Sequence, residues 1–503
     1  MKKAISLLLA LLMLVPGLMS CSEGTVEEDG NNPAAVQQDP VETEAETEER
    51  IKPNLPDVTY DGAEFRFYSW NIDDWRIWDD IWVESLTGEP INDAVFERNQ
   101  MIEDTYKVKI GFTYDEYQTY ENTVRTGVAA GDNAWEVIIS MGHCIPRLYP
   151  HNVFYNLHDL DHVDFDQPWW DQNCVDSFTL AGYMPFTVSD MIILDKAVCS
   201  ATFFNKQLAE NHQLGNLYEI VKEGKWTIDK MIELGEVVAN DVNNDGIATD
   251  DDIYGLLSGD DPVYMLFHSA GGRYITKDEN GYPQLSFESE YNFTVIKYYL
   301  EELMYKEHLT RDNDFVDGAK KVDLMFMEDQ GLFFMSKLSA TNTLREMESD
   351  FGIIPVPNYD ENQDHYSSSV SVFGGNLISV PVTNQALDMT GLLLEAMSAE
   401  SMYGLIPAFY ETVLKEKSAR DPDSVEMIDI IINNMVFDVG DYYNLADFPD
   451  YFLRITGSAA HLGRDQRTSD IVSFWKKKQK GTEVALKKLI KVIDGWNEMK
   501  GAE

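Results

Sequence analysis

The chain has 503 residues, with 39 Lys and Arg against 87 Asp and Glu and a formal charge of -48. So negative a balance repels nucleic acid phosphates and anionic lipid headgroups, which sets nucleic acid aside as a partner. At 44% apolar and 12% aromatic the composition is globular, and the length exceeds one hydrophobic core, so two or three domains are expected.

Lys2 and Lys3 open the chain, an apolar run follows from Ala4 to Val15, and Leu18-Met19-Ser20-Cys21 comes after it. A secretory signal has this layout, and the run is too short to span a bilayer. The last four residues resemble the bacterial lipoprotein box, and by that resemblance Cys21 is lipidated and becomes the mature N-terminus, anchoring the protein at the extracytoplasmic face of the cell membrane. Cysteine suits this because its thiolate is a strong nucleophile toward a lipid donor. The other reading is an ordinary cleavable signal with a chance cysteine. Cys144, Cys174 and Cys199 then remain, enough for one internal disulfide at most, so the core must hold the fold. No other run is long and apolar enough for a transmembrane helix.

Residues 22–56 are acidic and poor in apolar side chains, with Glu42, Glu44, Glu46, Glu48 and Glu49 crowded together. Such a segment stays disordered and extended, a tether between membrane and folded body. Folding begins with a buried strand over Ala63 to Trp70, followed by a helix from an Asn92 or Asp93 cap to Tyr106. A strand at Val108 to Tyr114, a helix at Gln118 to Ala130 and an apolar run at Trp135 to Ser140 continue the alternation. Strand, helix, strand, helix, strand at this spacing predicts an α/β layer with a parallel sheet.

A long connection then runs from Tyr149 to Asp190, and long connections tend to be functional. Further on come a strand from Ala197 to Phe204, helices at Lys206 to Gln213 and Thr227 to Asn240, and a helix ending at Gly271-Gly272. A turn at Glu279-Asn280-Gly281 precedes an amphipathic helix from Ser289 to Lys306. Val322 to Phe334 is apolar again, Phe351 to Pro357 and Leu377 to Pro381 read as strands closed by prolines, and the chain from about Gln385 is mainly helical.

Between two of these helices lies Asp241-Val242-Asn243-Asn244-Asp245-Gly246-Ile247-Ala248-Thr249-Asp250-Asp251-Asp252. Oxygen donors at its first, third and fifth positions, a glycine at the sixth and a carboxylate at the twelfth are what a calcium loop needs. Asp241, Asn243, Asp245, the Ile247 carbonyl, Thr249 and Asp252 are the candidate ligands of a structural Ca2+. The position-twelve residue is Asp rather than the usual Glu, as in the dockerin type, and reaches less far. An Asn- and Asp-rich surface turn that binds nothing would have the same composition.

Several stretches, in this order, resemble the extracellular solute-binding proteins of ABC importers, in the broad group that includes maltose-binding protein. They are the lipobox, the strand ending in Trp70, Phe203-Phe204-Asn205-Lys206, the helix from Trp226, Ala270-Gly271-Gly272, Phe351 to Pro357, Ser398 to Ser401, and Arg420-Asp421-Pro422-Asp423-Ser424. The resemblance implies a two-lobed type II periplasmic-binding fold, a monomer whose two discontinuous α/β lobes are joined by a hinge and close on a ligand. It further implies delivery to ABC permease subunits and no chemistry of its own. One lobe is expected at 57–184 plus 322–382, the other at 185–321 plus 383–503.

Trp70, Trp75, Trp78, Trp82, Trp169 and Trp170 are concentrated in the first third of the chain. A sugar packs its C–H faces on aromatic rings and offers its hydroxyls to carboxylates and amides. Trp70 with Asn71 and Asp73, and Trp169 with Trp170 and Asp171, supply both, and ligands of open α/β sheets bind beyond the carboxyl ends of strands. Core packing would use the same tryptophans. In the resembled family the segment around Phe373-Gly374-Gly375-Asn376 lines the cleft, which adds Phe373 and Asn376, with Asp190 and Tyr410 as further candidates. A hairpin turn is the other reading of that glycine pair. An oligosaccharide is therefore the expected ligand. A secreted glycosidase or a calcium-binding adhesion protein would use similar features. Catalytic motifs are poor: Phe267-His268-Ser269-Ala270-Gly271 lacks the first glycine of a nucleophile elbow, so Ser269 reads as a helix end, and with 87 acids in the chain carboxylates close in sequence say nothing about a glycosidase pair.

Overall fold

The computed structural model describes residues 50–71, 78–259, 262–312, 320–414, 422–449 and 468–500. Cys21, most of the expected tether, Asp73 and Arg420-Asp421 lie outside them. The chain divides into one unit at residues 1–53, of which 50–53 are described and carry no regular secondary structure, and a second at 54–503. All elements named below belong to the second.

Strand β1 (Ala63–Asn71) buries Phe65, Phe67, Tyr68 and Trp70. Side chains on both faces are covered, as a central parallel strand requires. Helix α1 (Pro90–Tyr106) starts before the expected Asn92 or Asp93 cap, because Pro90 fits the first helical turn; Asp93 lies inside and accepts from the Thr87 and Gly88 N–H groups at 2.8 and 3.1 Å. The helix stops at Lys107 in the left-handed region (φ 53). Strand β2 (Val108–Glu116) pairs parallel with β1, α2 (Tyr117–Ala130) ends on Gly131 (φ 79), and β3 (Val137–Met141) lies parallel on the other side of β1. A short α3 (Ile145–Leu148) follows. The connection to Asp190 consists of short turns, bridges and one helix (Gln172–Phe178), with a buried interior that includes Phe154, Leu157, Trp169, Trp170 and Phe178.

The second sheet starts with β4 (Ser200–Asn205), three residues later than expected because 194–197 forms a helical turn. Helix α4 (Ile228–Val238) is capped as its sequence predicts, Thr227 Oγ1 accepting from Lys230 N at 3.3 Å. Then come β5 (Tyr254–Ser258), α5 (Pro262–Ser269), which does end at Ser269, and a hairpin of β6 (Ile275–Lys277) and β7 (Pro283–Leu285). Helix α6 (Glu290–Tyr298) is capped by Ser289 and continues as a π-helical turn to Met304. Strands β8 (Thr310–Arg311), β9 (Gly331–Lys337) and β10 (Phe351–Ile354) complete a five-stranded sheet of order β10-β4-β9-β5-β8, in which β4 alone runs opposite to its neighbours.

The chain then crosses back through β11 (Ser368–Ser369) to β12 (Asn376–Ser379), which pairs antiparallel with β3 and gives the first sheet the order β12-β3-β1-β2. Helices α7 (Leu387–Tyr403) and α8 (Leu405–Leu414) pack on α1 beside that sheet. Strand β13 (Met435–Val436) pairs with β11, α9 (Val439–Tyr443) packs on α3, and α10 (Ile471–Lys500) packs on β7 and α6.

This pairing distributes the chain differently from the expected lobes at 57–184 plus 322–382 and 185–321 plus 383–503. The segment holding β9 and β10 joins the second sheet, where the Phe203 ring lies 5.9 Å from Phe334 and 5.8 Å from Phe351. Helices α7 and α8 join the first, because α1 leaves Ile91, Val95 and Ile102 to be covered. Cys144, Cys174 and Cys199 are buried free thiols. Among the described residues no helix is long and apolar enough to cross a membrane.

Candidate functional site

The carboxyl ends of the first sheet meet at one edge. Here β1 ends at Asn71, β2 passes into Tyr117, β3 passes into Gly142 and His143, and β12 begins. Gly142 N donates to Gly375 O at 3.1 Å and His143 N to Val372 O at 3.0 Å. The same crossover reaches the other sheet: Ser371 N donates to Val198 O at 3.2 Å, and Leu338 N, just past the end of β9, to Cys199 O at 2.9 Å. The strand ends of both sheets therefore adjoin one pair of crossing segments, the position at which open α/β sheets take ligands.

Three rings gather at the first-sheet side of this edge. Tyr117 Oη lies 2.6 Å from His143 Nδ1, and the Phe373 ring lies 4.6 Å from His143 at 35°. Arg147 donates to Tyr117 Oη at 3.3 Å and is itself held by Glu121. Tyr117, His143 and Phe373 are all half-buried, and partial burial holds the Tyr117 phenol above its ordinary pKa. The turn carrying Phe373 needs its glycines: Gly374 has φ +96, and a Cβ on Gly375 would come within 2.8 Å of Ser371 O. At the second sheet, half-buried Lys337 ends β9 and half-buried Ser339 follows it, and Asp312 follows β8. Aromatic faces with polar atoms at their rims are what a sugar ring requires, and neither Tyr117 nor His143 was singled out in the sequence. The signal for them was their place, directly after the ends of two predicted strands.

Trp70, Trp169 and Trp170 lie elsewhere, and Trp75 falls outside the described residues. Trp70 is fully buried, its indole N–H donating to Asn376 Oδ1 at 2.9 Å, so these two candidates do meet, as a brace across the first sheet. Trp169 and Trp170 are also buried, and Trp170 donates to Glu395 Oε2 at 2.8 Å. Burial pushes the Glu395 carboxyl up to about 7, against the opposing pull of the indole donors. Asp171 caps the following helix through Cys174 N. Trp78 meets Phe409 edge-on. Trp70, Trp169 and Trp170 are core positions, where a large ring contributes most when its one N–H finds an acceptor, as those of Trp70 and Trp170 do; Trp78 is half-buried.

Asn71, at the end of β1, is half-buried. Asp190 is half-buried with Lys196 Nζ 3.6 Å away, and Lys196 also lies 3.2 Å from Asp195. Burial works to lower the Lys196 pKa, but Asp195, Asp190 and Asp171 outweigh it and hold it raised. Tyr410 is buried and donates to Asp429 at 3.0 Å. Two open surface depressions, around Lys206 and Tyr218 and around Leu324 and Glu348, lie at the opposite end of the second sheet.

The oxygen-rich loop runs between α4 and β5, not between two helices. Asp241 Oδ2 accepts from Gly246 N at 2.7 Å, and Asn243 and Asp245 accept from the N–H groups of Asp245 and Ile247 at 2.9 and 2.8 Å. Asn244 (φ 58) and Gly246 (φ 76) make the sharp turn. Asp241 Oδ1 is a buried oxygen with no hydrogen bond, which fits a hard cation. Asp252 faces inward, its two oxygens accepting from Val242 N at 3.1 Å and Thr249 N at 2.7 Å, and its pKa is lowered because these bonds outweigh the cost of burial. Its shorter reach is thus used on the loop backbone.

Among curated proteins, none matches this chain by sequence. Solved structures do match in fold. MalE, a sugar-binding protein of Xanthomonas citri, is 12% identical with a TM-score of 0.55, covering 88% of this chain and all of its own. A substrate-binding protein of an ABC system from Listeria monocytogenes, in complex with cycloalternan, is 14% identical with a TM-score of 0.52 over 88% of this chain and all of its own. Maltose-bound MalE3 of T. maritima is 15% identical, TM-score 0.51, over 85% and 100%. The family profile for bacterial extracellular solute-binding proteins matches residues 97–424, well over half the chain. With two α/β sheets sharing a crossover, strand ends gathered beside it and this match, the chain belongs to the family of bacterial extracellular solute-binding proteins.

Proposed function

We propose that this protein captures a carbohydrate at the common strand-end edge of its two sheets and delivers it to the permease subunits of an ABC importer, held at the outer face of the membrane through a lipidated Cys21. The observation that carries this reading is the half-buried group Tyr117, His143 and Phe373 beside the crossover. The ligands bound in two similar folds, cycloalternan and maltose, point the same way. Affinity would come from closure, since a ligand reaches groups of both sheets only when they approach. The protein carries out no reaction of its own.

A thermal-shift panel of mono- and oligosaccharides tests this, because a ligand bound only by the folded state raises the melting temperature by mass action. An oligosaccharide that raises it, with the rise lost in Phe373→Ala, is the expected result. A panel without effect, or a glycan cleaved by the purified protein, overturns it. Intact-mass analysis of the membrane fraction tests the anchor: a diacylglycerol adduct should be present, and absent in Cys21→Ala.

The loop at Asp241–Asp252 would hold one structural Ca2+ through Asp241, Asn243, Asp245, the Ile247 carbonyl and Thr249, with Asp252 as a sixth donor if its backbone bonds yield. The orphaned Asp241 Oδ1 supports this. Ca2+ added to chelator-treated protein should raise the melting temperature of the wild type and leave Asp241→Asn unmoved. An unmoved wild type counts against the ion.

A further inference from the structure

His268 sits at the end of α5 with no exposed surface, its ring 4.6 Å from Tyr264, 5.2 Å from Phe267 and 5.7 Å from Tyr274. Its Nδ1 lies 3.0 Å from the Gly272 carbonyl oxygen. A carbonyl only accepts, so Nδ1 carries the proton and Nε2 presents a lone pair. Nε2 comes to 2.9 Å from Asp441 Oδ2 and yet makes no hydrogen bond. A lone pair directed at a carboxylate oxygen in a dry core is unfavourable unless a positive centre joins them.

Asp438 completes the group. It accepts from Tyr274 N at 2.6 Å, Gly440 N at 2.7 Å and Ile275 N at 3.3 Å, which fixes its orientation at the start of α9. One ligand atom each from His268, Asp438 and Asp441 lie within 4.8 Å of one another, and all three residues are buried. Arg273 is the neighbouring cation, its Nη1 donating to the His268 and Gly272 carbonyls at 3.3 and 2.7 Å. Among the described residues, two carboxylates face one guanidinium and an uncharged imidazole here.

We propose that His268, Asp438 and Asp441 form a buried site for one divalent transition metal of the zinc or manganese class. One imidazole nitrogen with two carboxylates suits such ions, whereas calcium takes oxygen donors. Donors on metal–ligand bonds of about 2.1 Å at tetrahedral angles stand ~3.4 Å apart, so side-chain shifts of about an ångström bring the three donors onto one ion. The Nδ1–H contact to a backbone carbonyl is the bond that orients a metal-bound histidine. Burial pushes the His268 pKa down to about 4, which keeps the ring in its ligating form at neutral pH. A site without solvent contact takes its metal as the chain folds. The ion would tie α5, which follows β5 of the second sheet and whose Tyr264 donates to Val370 O of the crossover at 3.2 Å, to α9, which packs on α3 of the first. It would thereby brace the region about which closure turns.

The test refolds the full chain with zinc, manganese or cobalt chloride as the sole divalent metal, and without metal, followed by gel filtration and elemental analysis. We expect about one ion retained per chain, a visible cobalt d–d absorption band, and a higher melting temperature than that of the metal-free protein. His268→Gln and Asp441→Asn should lose the ion and the band, while Asp241→Asn keeps both, which separates this site from the calcium loop. If either variant fails to fold, the cobalt spectrum of the wild type decides alone. Wild type that refolds with each metal yet retains none and shows no band overturns the proposal, and the cluster is then a pair sharing a proton.

Discussion

Trp169 and Trp170 on one hand, and Tyr117, His143 and Phe373 on the other, are two aromatic groups that composition does not tell apart as ligand platforms. The first pair is sealed in the core, with the Trp170 indole N–H donating to the buried Glu395 carboxylate at 2.8 Å. The second group is half-buried, its phenol and imidazole bonded to one another at 2.6 Å and to the exposed Arg147. An aromatic with a single donor is content in the core once that donor is matched. Rings that share polar contacts with a charged rim are not driven inward, and the strand ends hold them at the edge. Ring size therefore says little about ligand contact, and position past a strand says more.

The sharpest way to break this contrast is Trp170→Ala. A fully buried indole should cost about 3–5 kcal/mol of stability, read as a lower denaturation midpoint, with saccharide affinity at low temperature largely kept. Lost affinity at unchanged stability would place Trp170 in the ligand site and end the distinction. A smaller effect comes from pH. Glu395 has its pKa raised from 4.5 to about 7, so between these values the folded state holds a proton that the unfolded state releases. Its contribution favours folding fully below about pH 4.5, falls as pH rises to about 7, and is lost above it. Glu395→Gln should flatten the stability–pH profile by about 3 kcal/mol across this window. Asp195, also raised to about 7 by burial, leaves a slope of the same sign in the variant. An unchanged profile would mean that Glu395 is ionised beside Trp170.

Phe373→Ala sharpens the other half. The residue is half-buried on a turn, so stability should hardly move, while affinity for whichever saccharide gives the largest thermal shift should fall about tenfold or more by calorimetry. Equal losses of stability and affinity would return Phe373 to the core.

How much of this was legible beforehand follows from which forces are local. The parallel β1, β2 and β3, the Thr227 cap and the Ser269 helix end were all readable, because periodicity and capping act over a few residues. The lobe assignment was not. That β9 and β10 join β4 depends on Phe203 meeting Phe334 and Phe351, residues more than a hundred positions away. The strand-end site was half legible: Phe373 and Asn376 were named, but Asn376 serves Trp70, and Tyr117 and His143 went unnoticed because a single tyrosine and histidine carry no motif. The oxygen-rich loop was recognisable from spacing, yet nothing in that spacing said that Asp252 would turn to the backbone of Val242 and Thr249.

The smallest effect is the most discriminating. Tyr117→Phe removes one hydroxyl and leaves the ring, so the 2.6 Å contact to His143 and the 3.3 Å contact from Arg147 disappear without a cavity. The hydroxyl is only half-buried, and water can replace it on His143, so stability should change by less than about 0.5 kcal/mol. If the three rings form a ligand face, His143 loses the shorter of its two polar contacts at Nδ1, and saccharide affinity should fall about threefold, the worth of one neutral hydrogen bond. Tyr117→Ala, which also removes the ring, should fall further, by about tenfold. Affinity unchanged in both variants would mean that the sugar, if one binds, rests on the second sheet near Lys337 and Ser339. The half-burial of Tyr117 would then be a matter of packing alone.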